Sequence, residues 1–263
     1  MSRPEPVRRH VVKQAATNQR VVFLAWLLIA LGAIGYELYT QARDPHFAAN
    51  IGTVTGLAHE SEGEVLDALA LAPDQNAWLI NRRAAEWRIE RLPWVGRASL
   101  HVTWPNEVTI DVIERTPMAT VDLSQDTTQP PLRASAIIDE TQRVLAVTTA
   151  RDEHAELPRI VVLPPPVGPV SAGDTIANSD VTQALRALRE LRTLGLPISA
   201  VGIAPSTGIS VTANRNLRVL FGDDEELAKK AQLFEAIVAK ISTPERIAYV
   251  DVRSVRAPTV LYR

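Results

Sequence analysis

The chain has 263 residues, 46% hydrophobic, 22% charged and 5% aromatic, with a formal net charge of −2. This composition excludes wholesale disorder and a strongly basic nucleic-acid binder, and the absence of Cys excludes disulfides, thiolate chemistry and Cys-ligated zinc or iron–sulfur sites. The charge is unevenly spread: residues 1–20 carry Arg3, Arg8, Arg9, Lys13 and Arg20 against Glu5 alone, a net of +4, and the remainder carries −6.

The basic tail leads into Val21–Tyr39, where Glu37 is the one charge. As a helix this run is roughly 28 Å long, close to the ~30 Å of bilayer hydrocarbon. Trp26, Tyr36 and Tyr39 suit the two interfaces, and the one-sided positive flank predicts a cytoplasmic N-terminus with the rest exported. A cleaved signal peptide, with Thr40-Gln41-Ala42 as a small-x-small site, and a buried soluble helix are the competing readings. The length of the run favours a retained anchor. The sequence has no second such run, so a channel or transporter is not expected.

A linker at 40–46 precedes a pattern of strand, helix, helix, strand, strand. Phe47–Leu57 is expected as a loose strand ending near Gly56. Ser61-Glu62-Gly63-Glu64 spells a capping box ahead of Val65, Leu66 and Leu69 at helical spacing. A second helix is predicted over Trp78–Arg91, stopping before Pro93. Ala98, Leu100 and Val102 alternate as a strand, Pro105-Asn106 turns the chain, and Val108, Ile110 and Val112 alternate back.

Beyond Pro117 the strand signals are short: Ala119–Val121, Ala134–Asp139, Val144–Val147 and Arg159–Leu163. Pro164-Pro165-Pro166 with Pro169 reads as a stiff surface connection. Asn178 or Ser179 is expected to cap a helix whose face is Val181, Ala184, Leu185, Leu188 and Leu191, ending at Gly195. Ile209–Thr212 and Leu217–Phe221 form a strand pair around Asn214-Arg215-Asn216. Asp223 and Glu226 are read as a capping box for a helix with the stripe Leu227, Phe234, Ile237, Val238 and Ile241. Ile247–Val252 is a strand, and Val255–Arg263 is extended. Pro258 places that last piece at a sheet edge.

No chemistry converges. The His residues at 10, 46, 59, 101 and 154 are scattered, and no nucleophile elbow, phosphate loop or dinucleotide fingerprint is present. The acidic run Gly222–Glu226 suits a helix start better than a metal site. Four of the Trp residues (78, 87, 94 and 104) lie in or beside the first small unit, where core and rim packing is the default reading. No catalytic residue, metal site or cofactor is expected.

The block Leu92–Ala119 resembles the end of the POTRA domain in the FtsQ/DivIB family of bacterial division proteins. Pro93, Val95, Ala98 and Pro105, followed by Glu114-Arg115 and Pro117, match its pattern. Val54-Thr55-Gly56 is similar to the end of the family's first POTRA strand. Ile138-Asp139-Glu140 with Val144-Leu145 resembles a later hairpin, although Thr141-Gln142 lacks the usual turn Gly. Tyr249-Val250-Asp251-Val252-Arg253 resembles the late V-D-L-R strand.

The resemblance implies an α+β fold: a basic tail (1–20), a transmembrane helix (21–39), a linker (40–46), a βααββ POTRA domain (47–116), and a mixed or antiparallel β domain with two or three helices (117–263). It implies a non-catalytic, single-pass protein of the bacterial inner membrane at the division site, binding FtsB/FtsL-type bitopic coiled-coil proteins through strand addition. The implied partner surface is Ser254, Arg256, Val260 and Tyr262, with Gly56, Pro93, Val95, Ala98, Pro105, Glu114, Arg115, Pro117, Asp251 and Arg253 as structural motif residues. A POTRA-bearing secretion or outer-membrane assembly component is the alternative, and an anchored periplasmic hydrolase a more distant one.

Overall fold

The computed structural model describes residues 9–125, 132–148, 156–166, 169–213, 217–240 and 247–263. Asn214-Arg215-Asn216, expected as a turn, and Ile241, expected in a buried stripe, lie outside the described residues.

The chain opens with helix α1 (Arg9–Ala42). Val21–Ala42 is long and apolar enough to cross a membrane, and none of its apolar window is buried in the rest of the protein. A helix apolar on all sides without a protein neighbour is matched by hydrocarbon rather than by water. The buried-helix reading therefore fails.

The first module contains β1 (Asn50–Thr55), α2 (Glu62–Leu69), α3 (Arg82–Ile89), β2 (Val95–Thr103) and β3 (Glu107–Glu114). Its sheet has the order β1-β3-β2, with β1 parallel and β2 antiparallel to the central β3. The period-2 alternation buries Ala98, Leu100, Val108, Ile110 and Val112 on one face, against Val65 and Leu69 of α2 and Ala85 and Ile89 of α3. Each Val, Leu or Ile buried in this way contributes about 1.5–3 kcal/mol, and each Ala less.

The capping box at Ser61 is present: its hydroxyl accepts from the Glu64 N–H, and the Glu64 carboxylate accepts from the Ser61 N–H. Ser61→Ala is expected to lower stability by about 1 kcal/mol, read as a shifted urea midpoint. The loose first strand shortens to β1, because Asp44 caps a 3-10 turn at Pro45–Phe47. The helix expected over Trp78–Arg91 is split. Asn76 caps a 3-10 turn at Ala77–Leu79, and Asn81 caps α3. Asn side chains compete with helical backbone bonds and restart the chain at each point.

The second module contains β4 (Ala119–Gln125), β5 (Leu132–Ile138), β6 (Val144–Thr148), β7 (Arg159–Val162), α4 (Ser179–Thr193), β8 (Ile198–Ala204), β9 (Gly208–Ala213), β10 (Leu217–Gly222), α5 (Leu227–Val238), β11 (Ile247–Asp251) and β12 (Thr259–Tyr262). These strands form one nine-stranded sheet in the order β12-β11-β10-β9-β8-β7-β4-β5-β6. The pairs β4·β7, β7·β8 and β10·β11 are parallel, and the remaining pairs are antiparallel. The stripe Val181, Ala184, Leu185, Leu188 and Leu191 of α4 joins Leu227, Ala231 and Phe234 of α5 over the sheet. Asn178 caps α4 by accepting from the Asp180 and Val181 N–H groups.

Two sequence readings are corrected here. Strand β8 was not anticipated. Its residues Ala200, Gly202 and Ala204 carry little strand preference, and Val201 and Ile203 are its only fully buried residues. The capping box at Asp223–Glu226 does not form. Glu226 itself takes the N-cap position at φ 52, with no side-chain cap bond. Asp223 instead pairs with Lys230, whose ammonium is buried. Asp224 faces Arg186, and Glu226 pairs with Lys229. A buried ammonium demands a counter-charge more strongly than a helix end demands a cap.

Candidate partner-binding edge and the joint that carries it

A strand at the end of a sheet presents unpaired N–H and C=O groups, so the four sheet ends decide where another chain can add. The β2 edge is closed by α3: Glu86 accepts from the Leu100 N–H at 2.9 Å and Glu90 from the Ala98 N–H at 3.3 Å. The β1 edge begins under the segment before α3, with the Ala49 N–H donating to Gln75 O, and has a register irregularity between Ile51 and Val54. The β6 edge is met at its start by the 173–176 segment. Gly173 donates to Val144 O, Val144 donates to Asp174 O, and Arg143 bridges Thr175.

Strand β12 forms the last end. Its inner side pairs with β11 in the register Val250↔Val260 and Asp251↔Thr259, and no other described strand pairs with its outer side. Val260 packs against the core, whereas Leu261 and Tyr262 are 50% and 56% exposed. Ser254 and Arg256 lie exposed in the turn between β11 and β12, at the end of the sheet. The structure thus places Val260 and Tyr262 on the edge strand and Ser254 and Arg256 beside it. Leu261 was missed by the sequence reading, though it is the most apolar exposed side chain on β12.

The V-D-V-R motif shapes this edge. Asp251 accepts from the Arg253 N–H at 3.0 Å and from its guanidinium at 2.6 Å. The guanidinium holds the Asp251 carboxyl below its ordinary range. The ion pair fixes the exit of β11, and the Arg253 stem lies against Gly222. The motif is a brace for the turn, not a contact on the open side.

The upstream motif builds the joint between the modules. Arg115, at the end of β3, donates from Nε to Val95 O at 3.0 Å and from Nη1 to Asp139 at 2.7 Å. Asp139 is 4% exposed and also accepts from the Thr141 N–H, the Thr141 hydroxyl and the Arg143 N–H. Burial pushes its carboxyl up, and these hydrogen bonds outweigh burial, so its pKa lies below the ordinary value. Arg143 reaches back to Arg91 O at 2.8 Å. Gln142, in the turn where the usual Gly is missing, adopts φ 66 and bonds Thr182. An L residue is strained there by about 1–2 kcal/mol, and the sequence departs from Gly at that cost. Gly56 has no such freedom: at φ +84, an added Cβ would meet Val112 O at 1.8 Å.

Glu114, the other half of the Glu-Arg pair, closes the loop before α2. It accepts from the N–H groups of Ala58, His59 and Glu60, and its Oε2 lies 2.8 Å from His59 Nδ1. The His59 ring stacks on Trp94 at 3.9 Å. Burial raises the Glu114 carboxyl, the hydrogen bonds outweigh it, and the pKa falls from 4.5 to about 2. Neighbouring Glu60 is raised, first by burial and further by Glu64 and Glu114.

A carboxyl with a depressed folded pKa stabilises above its unfolded pKa, and that stability is lost as pH falls through the folded value. Glu114 is therefore expected to contribute about 2 kcal/mol at neutral pH after solvent screening, lost between about pH 5 and pH 2. Comparing urea midpoints of the native chain and Glu114→Gln across that range checks this. The variant is expected to show a flatter acid limb.

Of the core-and-rim packing expected for the four Trp residues of the first module, the structure shows the rim. Trp78, Trp87 and Trp104 are exposed, and Trp94 is half-buried beneath His59. Among the described residues no group of three or more His, Asp or Glu side chains is placed to hold a metal ion.

One candidate membrane span, a βααββ module and a large mixed sheet with helices define an α+β membrane protein of the POTRA-bearing class. Residues 53–115 match the model of the FtsQ-type POTRA domain, and residues 131–253 match that of the FtsQ/DivIB C-terminal region of cell division proteins. The chain belongs to the FtsQ/DivIB family. A curated relative, the cell division protein FtsQ of Myxococcus fulvus, is 31% identical over 81 residues. That alignment spans 31% of this chain and 28% of the relative.

Proposed function

We propose that the chain is an assembly protein of the bacterial division machinery that acts by binding and not by catalysis. In this reading residues 1–20 remain in the cytoplasm, 21–39 anchor the protein in the inner membrane, and 47–116 and 117–263 work outside it as two units at the division site. Its partners are small bitopic coiled-coil proteins of the FtsB/FtsL type, which add a strand to β12. Main-chain bonds to the edge supply affinity, and alternate side chains supply specificity.

The observation that carries this reading is the contrast among the four sheet ends. The β2 and β6 ends are met by other parts of the chain, the β1 end is irregular and covered where it begins, and β12 presents its outer side with Leu261 and Tyr262 beside it. The test is co-purification of the full-length chain, in detergent, with tagged FtsB- and FtsL-type proteins, together with localisation of a fluorescent fusion. Co-purification and a midcell band support the reading. A uniform envelope ring without co-purification favours the secretion alternative, and peptidoglycan release by the purified chain favours a hydrolase.

A further inference from the structure

The first module carries exposed apolar side chains that neither sheet nor partner edge uses. Trp104, at the tip of the β2–β3 hairpin, is 72% exposed. Leu79 and Trp78, in the 3-10 turn before α3, are 64% and 46% exposed. Trp78 and the hairpin tip are far apart in sequence but adjacent in space, because the Trp78 indole N–H donates to Pro105 O at 2.8 Å, and Leu79 is the next residue in the turn. Isolated exposed apolar residues need no explanation, but a joined patch of two indoles and a leucine does.

The position of this patch identifies its occupant. The Asn76 side chain donates to the carbonyl of Ala42, the last residue of α1, at 3.3 Å. Trp78 follows two residues later. The ring of His46, four residues beyond the helix end, meets Trp104 edge-on at 6.2 Å. The patch therefore sits beside the point where the candidate span ends. Val21–Ala42, at about 1.5 Å per residue, is roughly 33 Å long, so Ala42 emerges at the edge of the ~30 Å hydrocarbon layer. Tyr36 and Tyr39 lie in the last turns before it, with the Arg43 guanidinium 4.5 Å from the Tyr39 ring centroid. The polar interfacial layer beyond the hydrocarbon is where indole rings partition, apolar body inward and N–H outward.

We infer that Trp78, Leu79 and Trp104 dock the first module onto the lipid interface. They continue the aromatic belt of the span and hold the module against the bilayer surface instead of letting it swing on residues 43–46. The occupant is the membrane carrying α1. This rests on the reading of Val21–Ala42 as a span.

The absence of native Cys makes the test direct. Leu79→Cys, Trp104→Cys, Trp87→Cys and Ile29→Cys are made singly in the full-length chain, spin-labelled and reconstituted in vesicles of phosphatidylethanolamine and phosphatidylglycerol. Collision of each label with membrane-dissolved oxygen is compared with collision with a water-soluble nickel chelate. Trp87 is the aqueous reference, since it lies on α3 beneath Arg91 at the joint with the second module. Labels at 79 and 104 are expected to favour oxygen over nickel, reversing the ratio found at 87. Labels at 79 and 104 as aqueous as that at 87, with 29 in lipid, overturn the docking and leave the span intact. An aqueous label at 29 overturns the span and the docking with it. Protection of 79 and 104 from both reagents assigns the patch to a protein contact and also overturns it. Leu79 and Trp104 are already exposed, so labelling them leaves the fold in place, and circular dichroism confirms this for each variant.

Discussion

Deletion of Val255–Arg263 is expected to abolish capture of the FtsB/FtsL-type partners while the rest of the chain stays folded. The deletion removes the whole of β12 and exposes β11, which is held on its other side by β10 through Val219↔Val250 and Leu220↔Asp251. The folding cost is the partial burial of Val260, on the order of 1 kcal/mol, together with the main-chain bonds between β11 and β12, each worth about 1 kcal/mol net because water replaces the partner. On the proposed reading the loss of binding should be complete, because an added strand needs both the outer main-chain groups of β12 and the side chains beside them.

A second variant separates loss of binding from loss of fold. Leu261→Asp with Tyr262→Ser changes exposed side chains only, so its effect on stability should stay within about 0.5 kcal/mol each. Its effect on capture should still be large, since it places a charge and removes a ring where the partner's apolar side chains pack. Pull-down of tagged partners by the full-length variants reads both. Capture undiminished by either change would move the interface away from β12.

Asp139→Ala is expected to be the most destabilising single substitution at the joint, lowering stability by about 3 kcal/mol or more. The change removes the counter-ion of Arg115, whose side chain is 22% exposed. It also strands the Thr141 and Arg143 N–H groups, both of which donate to the Asp139 carboxylate. Breaking a buried pair from one side costs more than the pair contributes net, because the remaining charge stays out of water. Asp139→Asn keeps hydrogen-bonding capacity and should cost about half as much. Chemical denaturation of the full-length chain, followed by circular dichroism, gives both values. A loss below about 1 kcal/mol for the alanine variant would show that Arg115 finds water instead, and that the joint is weaker than its geometry implies.

These outcomes also mark what the amino-acid order made legible. The first module was readable because its information is local. Ala98, Leu100 and Val102 opposite Val108, Ile110 and Val112 declare a hairpin by alternation, and Ser61 with Glu64 declares a helix start within four residues. The failures share a cause of the opposite kind. Asp223 spells a cap, but a lysine in the first turn of the helix claims it after burial. Strand β8 is held by neighbours on both sides, not by its own small residues. Glu86 and Glu90 look like surface acids of a helix, and only the packed structure shows them closing a sheet edge.

The candidate site was half legible for the same reason. Pro258 pointed to an edge, and Val260 and Tyr262 fall on it, but an edge becomes a site only by comparison with the other edges. Arg115 and Asp139 were visible as separate motif residues. Their pairing depended on two segments meeting.

The order of the nine strands has a mechanical consequence. The joint to the first module is made at the β5–β6 turn, at one end of the sheet, and β12 is at the other. Eight strand-to-strand steps separate β6 from β12, about 38 Å at ~4.8 Å each. If β12 is the partner edge, as proposed, the second module acts as a lever arm with its pivot at Asp139 and its working tip at β12. A small rotation at the pivot becomes a large sweep at the tip. A joint locked by Arg115, Asp139 and Arg143 would aim that tip, and one loosened at Asp139 would scatter it without altering the edge itself.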